Sequence, residues 1–349
     1  MKKIKYITLG IAMVIMAFVI TGCGPSGNGS GSGDEPVSKT GFCLNTTCDI
    51  KIYGMDQAGA QKLLDGAFDL MTEYENMLSK TVEGSDVYKI NHADGAPVQV
   101  SDDTMNVLTI GMQMGDYSGG LFDITIGAIT DMWDFTGDNP KVPDDADIKA
   151  ALPAVDYKKL KINGNEVTLG STGAQLDLGG VAKGYIADKV TEYLESEGVT
   201  SALINLGGNV VTIGSKPDGA PFVIGIERPY SDRTEIVGTI SVTDTTVVTS
   251  GIYERKFEED GVLYHHVLDP RTGYPSDSEL ESVTIRAAKG NSGFCDGLST
   301  VCLMLGEKDA KELIAMLQDE YPDMHLEASF INKDDQLSET DGMDVTKTK

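Results

Sequence analysis

Basic side chains are scarce in this sequence. Its 349 residues carry 28 Lys and Arg against 54 Asp and Glu, a formal charge of −26. Affinity for a polyanion comes mainly from Lys and Arg neutralising phosphates, so the composition excludes nucleic-acid binding as the default reading. The five cysteines lack zinc-ligand spacing. No G-x-G-x-x-G follows a strand pattern and no G-x-x-x-x-G-K-[ST] occurs, so neither a Rossmann site nor a P-loop is supported. With 40% hydrophobic and 23% charged residues, neither wholesale disorder nor a multi-span membrane protein fits. Glycine is the abundant residue, at 40 positions, and implies many tight turns and close backbone approaches.

The long apolar run lies at the N-terminus, where Lys2, Lys3 and Lys5 precede Ile7 to Ile20 in the order of an export signal. The run ends at Ile20-Thr21-Gly22-Cys23, which resembles a lipobox, where the signal is cut before a cysteine that carries lipid. An uncleaved anchor is the other reading, but the stretch is short for a span of about 20 residues. The expected organisation is a signal peptide over 1–22, a lipidated Cys23 with a flexible Gly/Ser linker over 23–40, a domain over 41–333 and a polar tail over 334–349. The expected location is exported, lipid-anchored to the cell membrane and facing outside the cytoplasm. An acidic chain is repelled by anionic headgroups, so this attachment would need the lipid.

Cys43 and Cys48, five apart in a strand-like stretch, are read as facing opposite sides and as poor disulfide partners. Cys295 and Cys302, in a helix-like apolar run, are read as packed thiols. Alternation predicts a strand over Cys48–Tyr53, and apolar residues at three- and four-residue spacing predict a helix capped by Asp56 and running to Ser79. A second helix is predicted from the Ser101 cap to Gly119-Gly120, followed by an acidic surface excursion between about Asp138 and Pro153. Further on, a hairpin is predicted at Asn163-Gly164, then a helix from Gly180 to Glu197, short alternating strands between Ala202 and Thr249, and a hairpin at Asp260-Gly261. Helices over Cys295–Leu305 and Lys308–Gln318 and a strand near His325–Ile331 close the pattern. This mixed order reads as α+β, with largely antiparallel sheets.

Three places could carry chemistry. Leu176 to Asp188 spans a strand-to-helix junction where Gly179, Gly180 and Gly184 allow close backbone approach and Lys183 adds positive potential for phosphate. The same residues fit a tight turn beside a solvated lysine, and both readings stand. His265 and His266 are adjacent on a strand pattern, so at most one faces a given site. Asp296 and Thr300, one turn apart, offer hard oxygens of the kind Mg²⁺ prefers, or serve as caps.

Together these segments resemble the ApbE family of FAD:protein FMN transferases, from about Phe42 to Ile331. The resemblance rests on Asp177-Leu178-Gly179-Gly180-Val181-Ala182-Lys183-Gly184-Tyr185, on Thr249-Ser250-Gly251, on His266-Val267-Leu268-Asp269-Pro270 with Thr272-Gly273, on Asp296 with Ser299-Thr300, and on Gly120-Leu121-Phe122-Asp123-Ile124-Thr125. It implies a duplicated T-fold-like architecture, two lobes with flanking helices around a cofactor cleft. It implies FAD as substrate, with Leu44, Leu121, Phe122, Asp123, Asp177, Lys183 and Leu268 at the FAD site. Mg²⁺ is implied on the Gly180 carbonyl, Asp296, Ser299 and Thr300, with His266 activating an acceptor hydroxyl. FMN would pass to a Thr or Ser of a membrane redox-complex subunit or another exported flavoprotein, releasing AMP. The family's Met-Gly-Thr entry segment appears here as Leu44-Asn45-Thr46, and Thr81 stands where some members have an aromatic. An FAD pyrophosphatase using the same metal site, or a lipid-anchored flavin binder without turnover, are the alternatives.

Overall fold

The computed structural model describes residues 35–231 and 233–348, so the signal-like segment, Cys23 and most of the predicted linker lie outside the described residues. The described chain opens with a hairpin of β1 (Val37–Cys43) and β2 (Thr46–Ile52), whose two-residue turn, Leu44-Asn45, has positive φ at both positions (54 and 55). That is the turn whose twist matches the flanking strands. Helix α1 (Gln57–Leu78) follows, its first turn held by Asp56, which accepts from the N–H groups of Ala58 and Gly59. Next come α2 (Asp86–Asn91), β3 (Val98–Gln99) and α3 (Asp102–Tyr117), the last capped by Ser101. It exits through Gly119 and Gly120, both with positive φ.

The remaining elements are α4 (Gly127–Trp133), α5 (Asp145–Ala151), β4 (Lys161–Asn163), β5 (Glu166–Thr168), α6 (Ala182–Ser196), β6 (Ala202–Leu206), β7 (Asn209–Ile213), β8 (Phe222–Glu227), β9 (Ile236–Val242), β10 (Thr245–Gly251), β11 (Lys256–Glu259), β12 (Val262–His265), β13 (Leu280–Ala288), α7 (Ser292–Leu305), α8 (Glu307–Glu320), β14 (Glu327–Asn332), β15 (Leu337–Glu339) and β16 (Thr346–Lys347).

Eight strands form one antiparallel sheet in the order β1-β2-β6-β7-β10-β13-β14-β15. Helices α1, α6 and α7 pack against it. A small sheet in the order β16-β9-β8 shares a second buried cluster with it, in which Phe222, Ile226, Ile240 and Met343 meet Val247 and Ile331. A third cluster gathers Ile129, Trp133, Ile148 and Leu268, with Phe135, Phe257, Tyr264 and Tyr274 around them. Trp133 also donates its indole N–H to the Gly273 carbonyl at 2.8 Å. The expected α+β order with antiparallel sheets is therefore present, and the described residues hold together as one compact unit. Among the described residues no helix is long and apolar enough to cross a membrane.

Four sequence expectations need correction. Residues 37–40, assigned to the linker, are already in β1. The surface excursion contains α5, whose Ile148 is fully buried. The polar tail from residue 334 is stitched into two sheets: Leu337 pairs with Ile331, Thr346 pairs with Thr239, and the side chain of Met343 is completely buried. Finally, Cys43 and Cys48 lie on opposite arms of a hairpin rather than along one strand, so their side chains converge, with Sγ atoms 3.1 Å apart. By contrast, Cys295 and Cys302 are packed thiols; burial raises both, Cys302 to about 12.

The integrated tail predicts that Met343→Ala costs about 2–5 kcal/mol, the usual range for emptying a buried Met site. Ending the chain at Lys333 should cost more, because it also uncovers the face of β9. Urea unfolding midpoints check both, and an unchanged midpoint for Met343→Ala would show that the tail adds nothing to global stability.

Candidate functional site

The site forms where the starts of α6 and α7 meet one end of the main sheet. Gly184 makes this approach possible, since a Cβ there would overlap the Ser292 carbonyl oxygen and lie 2.7 Å from the Asp296 Cβ. Each helix then supplies a carboxylate to the other. Asp296 of α7 accepts from the Gly184 N–H at 3.0 Å, and Asp188 of α6 accepts from the Ser292 and Gly293 N–H groups at 3.0 and 2.9 Å. First-turn N–H groups have no intrahelical partner, so these contacts satisfy donors that would otherwise be stranded in the core. Burial pushes the Asp188 carboxyl up to about 6, against the pull of its two N–H partners.

Asp296 is 3% exposed, and its remaining partners are the Asn209 amide at 3.3 Å and the Lys183 ammonium at 3.3 and 3.4 Å. Beside it, Ser250 at the end of β10 bonds the hydroxyls of Ser299 (2.7 Å) and Thr300 (3.1 Å). Gly180 lies in the turn before α6, two residues ahead of its first residue, Ala182. One carboxylate and three hydroxyls thus gather as hard oxygens beside that turn. No cluster of three or more His, Cys, Asp or Glu able to hold a metal occurs among the described residues. A cation here would rely on one carboxylate, neutral oxygens and the oxygens of its substrate, the manner in which Mg²⁺ is commonly held on phosphates.

The neighbouring residues frame this centre. The Phe122 ring would lie 3.0 Å from a Cβ on Gly180, so it packs flat against that turn. Asp123 points inward: it accepts from Thr125 N (2.8 Å), Thr125 Oγ1 (2.6 Å) and Tyr157 N (3.0 Å), while burial raises its carboxyl. A cavity of about 330 Å³ opens beside it, lined by Gly120, Tyr157, Lys158 and Arg271 among others; its lining includes neither Asp296 nor His266. Asp177 is saturated by Gly179 N (3.0 Å), Thr130 Oγ1 (2.8 Å) and Lys80 Nζ (2.9 Å). Burial alone would raise the Asp177 carboxyl; the Lys80 ammonium outweighs it and holds the group below the usual range.

His266 follows β12. Its Nδ1 is buried without a hydrogen-bond partner, and burial, with Arg255, His265 and Lys183 nearby, lowers the imidazole to about 3. His265 is lowered to about 4, chiefly by burial. Leu44 sits half-buried at the tip of the β1–β2 turn, and Leu121 is partly buried against the main core. Leu268 belongs to the separate Trp133 cluster. His92 stacks on Tyr88 at 3.9 Å, and His325 has positive φ after the short helical turn Pro322–Met324; neither takes part.

The structure therefore brings Lys183, Asp296, Ser299 and Thr300 together, with Gly180 in the turn that precedes α6. It adds residues whose roles sequence reading missed: Asn209, Ser250, Lys80, Thr130 and Asp188. Gly207-Gly208-Asn209 was a readable turn signal, but an Asn entering a strand gives no sign that its amide meets a carboxylate 87 residues away.

Comparison with known proteins agrees with this arrangement. The sequence profile of the ApbE family matches residues 44–324. An FAD:protein FMN transferase of Klebsiella pneumoniae is 36% identical over 287 residues, covering 81% of this chain and 85% of the relative. One of Treponema pallidum is 31% identical over 326 residues, covering 88% of each. Among solved structures, the ApbE protein of Thermotoga maritima superposes with a TM-score of 0.78 at 30% identity, over 88% of this chain and 97% of that one. The flavin transferase ApbE of Vibrio cholerae gives 0.76 at 28% identity, over 88% and 96%. With fold, profile and identity in agreement over most of its length, the chain belongs to the ApbE family.

Proposed function

We propose that this enzyme transfers the FMN part of FAD to a Ser or Thr hydroxyl of a partner protein, with Mg²⁺, and releases AMP. The observation that carries the reading is the Asp296 centre: a buried carboxylate and the hydroxyls of Ser299 and Thr300 converge beside Lys183. These residues, with the Gly180 carbonyl, would hold Mg²⁺. The bound cation would neutralise pyrophosphate oxygens and the charge developing on the AMP leaving group.

The chain's own residues do the rest. Lys183 supplies positive charge close to Asp296, where a protein of net charge −26 must receive an anionic substrate. Leu121 and Leu44, both partly buried, offer apolar surface for the flavin, the buried Phe122 ring backs the Gly180 turn, and the Lys80–Asp177 pair fixes the turn that presents Gly179 and Gly180. The acceptor oxygen forms a bond to the FMN phosphorus as the pyrophosphate P–O bond breaks, and its proton passes to neutral His266. The bridging oxygen leaves with AMP. The acceptor is read as a subunit of a membrane redox complex or another exported flavoprotein. Membrane attachment would come through a lipid on Cys23, the reading that the N-terminal sequence supports.

Incubating the full chain with FAD, Mg²⁺ and a candidate acceptor, then weighing the acceptor, tests the proposal. An FMN adduct is expected; free FMN and AMP would mean hydrolysis, and intact FAD would mean binding alone. Asp296→Ala should abolish Mg²⁺-dependent transfer, and unchanged activity would remove Asp296 from the metal site.

His266→Ala should lower kcat by at least about 10²-fold, the contribution typical of a positioned base, with little change in FAD affinity. A loss confined to affinity would defeat that role. The pH dependence follows from the lowered pKa. With the folded value near 3 and the unfolded value near 6.5, the neutral ring's stabilising contribution is complete above about pH 6.5 and is lost as pH falls toward 3. His266 is therefore already a base throughout the neutral range. The kcat/KM profile should show no acid limb near pH 6.5, and a limb there that vanishes in His266→Ala would overturn the lowered pKa while leaving the base role in place.

A further inference from the structure

The turn between β1 and β2 carries a pair of thiols that the proposed reaction does not use. Cys43 ends β1 and is half-buried; Cys48 lies within β2 and is fully buried. In register, Cys43 pairs with Thr46 and Cys48 pairs with Gly41, so the two cysteines are diagonal neighbours on one face of the hairpin. Their sulfurs are 3.1 Å apart, in thiol–thiol hydrogen-bond contact, with the Met71 sulfur 3.9 Å from Cys43. A disulfide bond is about 2.05 Å long, so closing it asks for roughly 1 Å of movement from two side chains next to a two-residue turn. The hydrogen bond between them lowers the Cys43 thiol and raises the Cys48 thiol. Cys43, the more exposed of the two, is thus also the better nucleophile.

The turn is part of the site's surroundings. A Cβ on Gly207 would lie 2.5 Å from Thr46 Cγ2, and one on Gly208 would lie 3.3 Å from the Thr249 carbonyl. Thr46 therefore rests on the glycine turn that leads into Asn209, the residue whose amide holds Asp296. Fixing the β1–β2 turn fixes one wall of that end of the sheet.

We propose that Cys43 and Cys48 form a reversible intrachain disulfide that clamps the β1–β2 turn beside the Asp296 centre. The oxidant is a low-molecular-weight or protein disulfide. The Cys43 thiolate attacks one of its sulfurs, forming a mixed disulfide and releasing one thiol. The Cys48 thiolate then attacks the Cys43 Sγ, forming the intrachain bond and releasing the second thiol. Two protein thiols are oxidised, one external disulfide is reduced to two thiols, and the two protons leave on those thiols. Cys295 and Cys302, both fully buried, stay reduced and serve as internal controls.

The test equilibrates the folded full chain in glutathione buffers of rising oxidised fraction, quenches with an alkylating reagent, and weighs tryptic fragments without reduction. Cleavage after Lys39 and Lys51 puts Cys43 and Cys48 in one peptide, apart from the other cysteines. The expected result is a peptide lighter by two hydrogens and carrying no alkyl group, restored to two alkyl groups by reduced glutathione. Amide exchange at residues 44–47 should slow several-fold in the oxidised form. In Cys43→Ser, which replaces only the half-buried partner, the peptide should stay reduced at Cys48. Two alkyl groups on the wild-type peptide at every buffer ratio would overturn the proposal, as would stable glutathione adducts or a bond to Cys295 or Cys302.

Discussion

The structure of the site depends on a reciprocal exchange between two helix starts. Asp188 of α6 closes the first turn of α7, and Asp296 of α7 closes the first turn of α6. A buried carboxylate is costly alone, but one that accepts two N–H bonds regains about 1.5–3 kcal/mol per charged hydrogen bond while satisfying donors that also need partners. The exchange requires the helices to touch at their N-terminal turns, and Gly184 and Gly293 permit that by removing the side chains that would separate them. Two positive helix ends then face the same small volume, where an anionic group is favoured.

Charge explains why this local device matters. The chain repels anions at long range, yet the residues around the site include Lys80, Lys183 and Arg255. Each is either tied to a carboxylate or close enough to act on a buried imidazole. The surface excess of acid and these few local cations are compatible because screening confines the first to about 10 Å, whereas the low dielectric of the site strengthens the second. Under the proposed function an anionic ligand entering here would exchange water for lysine, a cation and helix ends.

Much of the fold was legible because local chemistry determined it. Asp56 and Ser101 cap the helices they were expected to cap, and the Asp260-Gly261 turn joins β11 to β12 as its sequence predicts. Strand β13 went unassigned although Ser282-Val283-Thr284-Ile285-Arg286-Ala287 alternates polar and apolar. Lying between β10 and β14, it buries even Ser282 and Thr284, so its alternation does not mark a solvent face. The tail misled because β15 and β16 are short, polar and held by backbone pairing, with only Met343 signalling a core contact. The thiol pair misled because strand parity applies along one strand, and a turn at Leu44-Asn45 starts the count again. At the candidate site, the family motifs point to Gly180, Lys183 and Asp296, of which Lys183 and Asp296 are in contact. The residues that hold them, Asn209, Asp188 and Lys80, act through long-range contacts that no spacing encodes.

The partners of Asp296 set the limits on its surroundings. As the acceptor for the Gly184 N–H it is fixed in place, and under the proposed function it would also have to offer an oxygen to a cation. The structure separates these tasks by atom: Gly184 bonds Oδ2 at 3.0 Å, whereas Asn209 approaches Oδ1 at 3.3 Å and Lys183 spans both oxygens at 3.3 and 3.4 Å. The short bond is the backbone one, which cannot be given up without reopening the α6–α7 junction. The longer contacts come from side chains, which under the proposed function would turn toward a phosphate as a cation took their place. One carboxylate would then hold the fold with one oxygen and serve chemistry with the other.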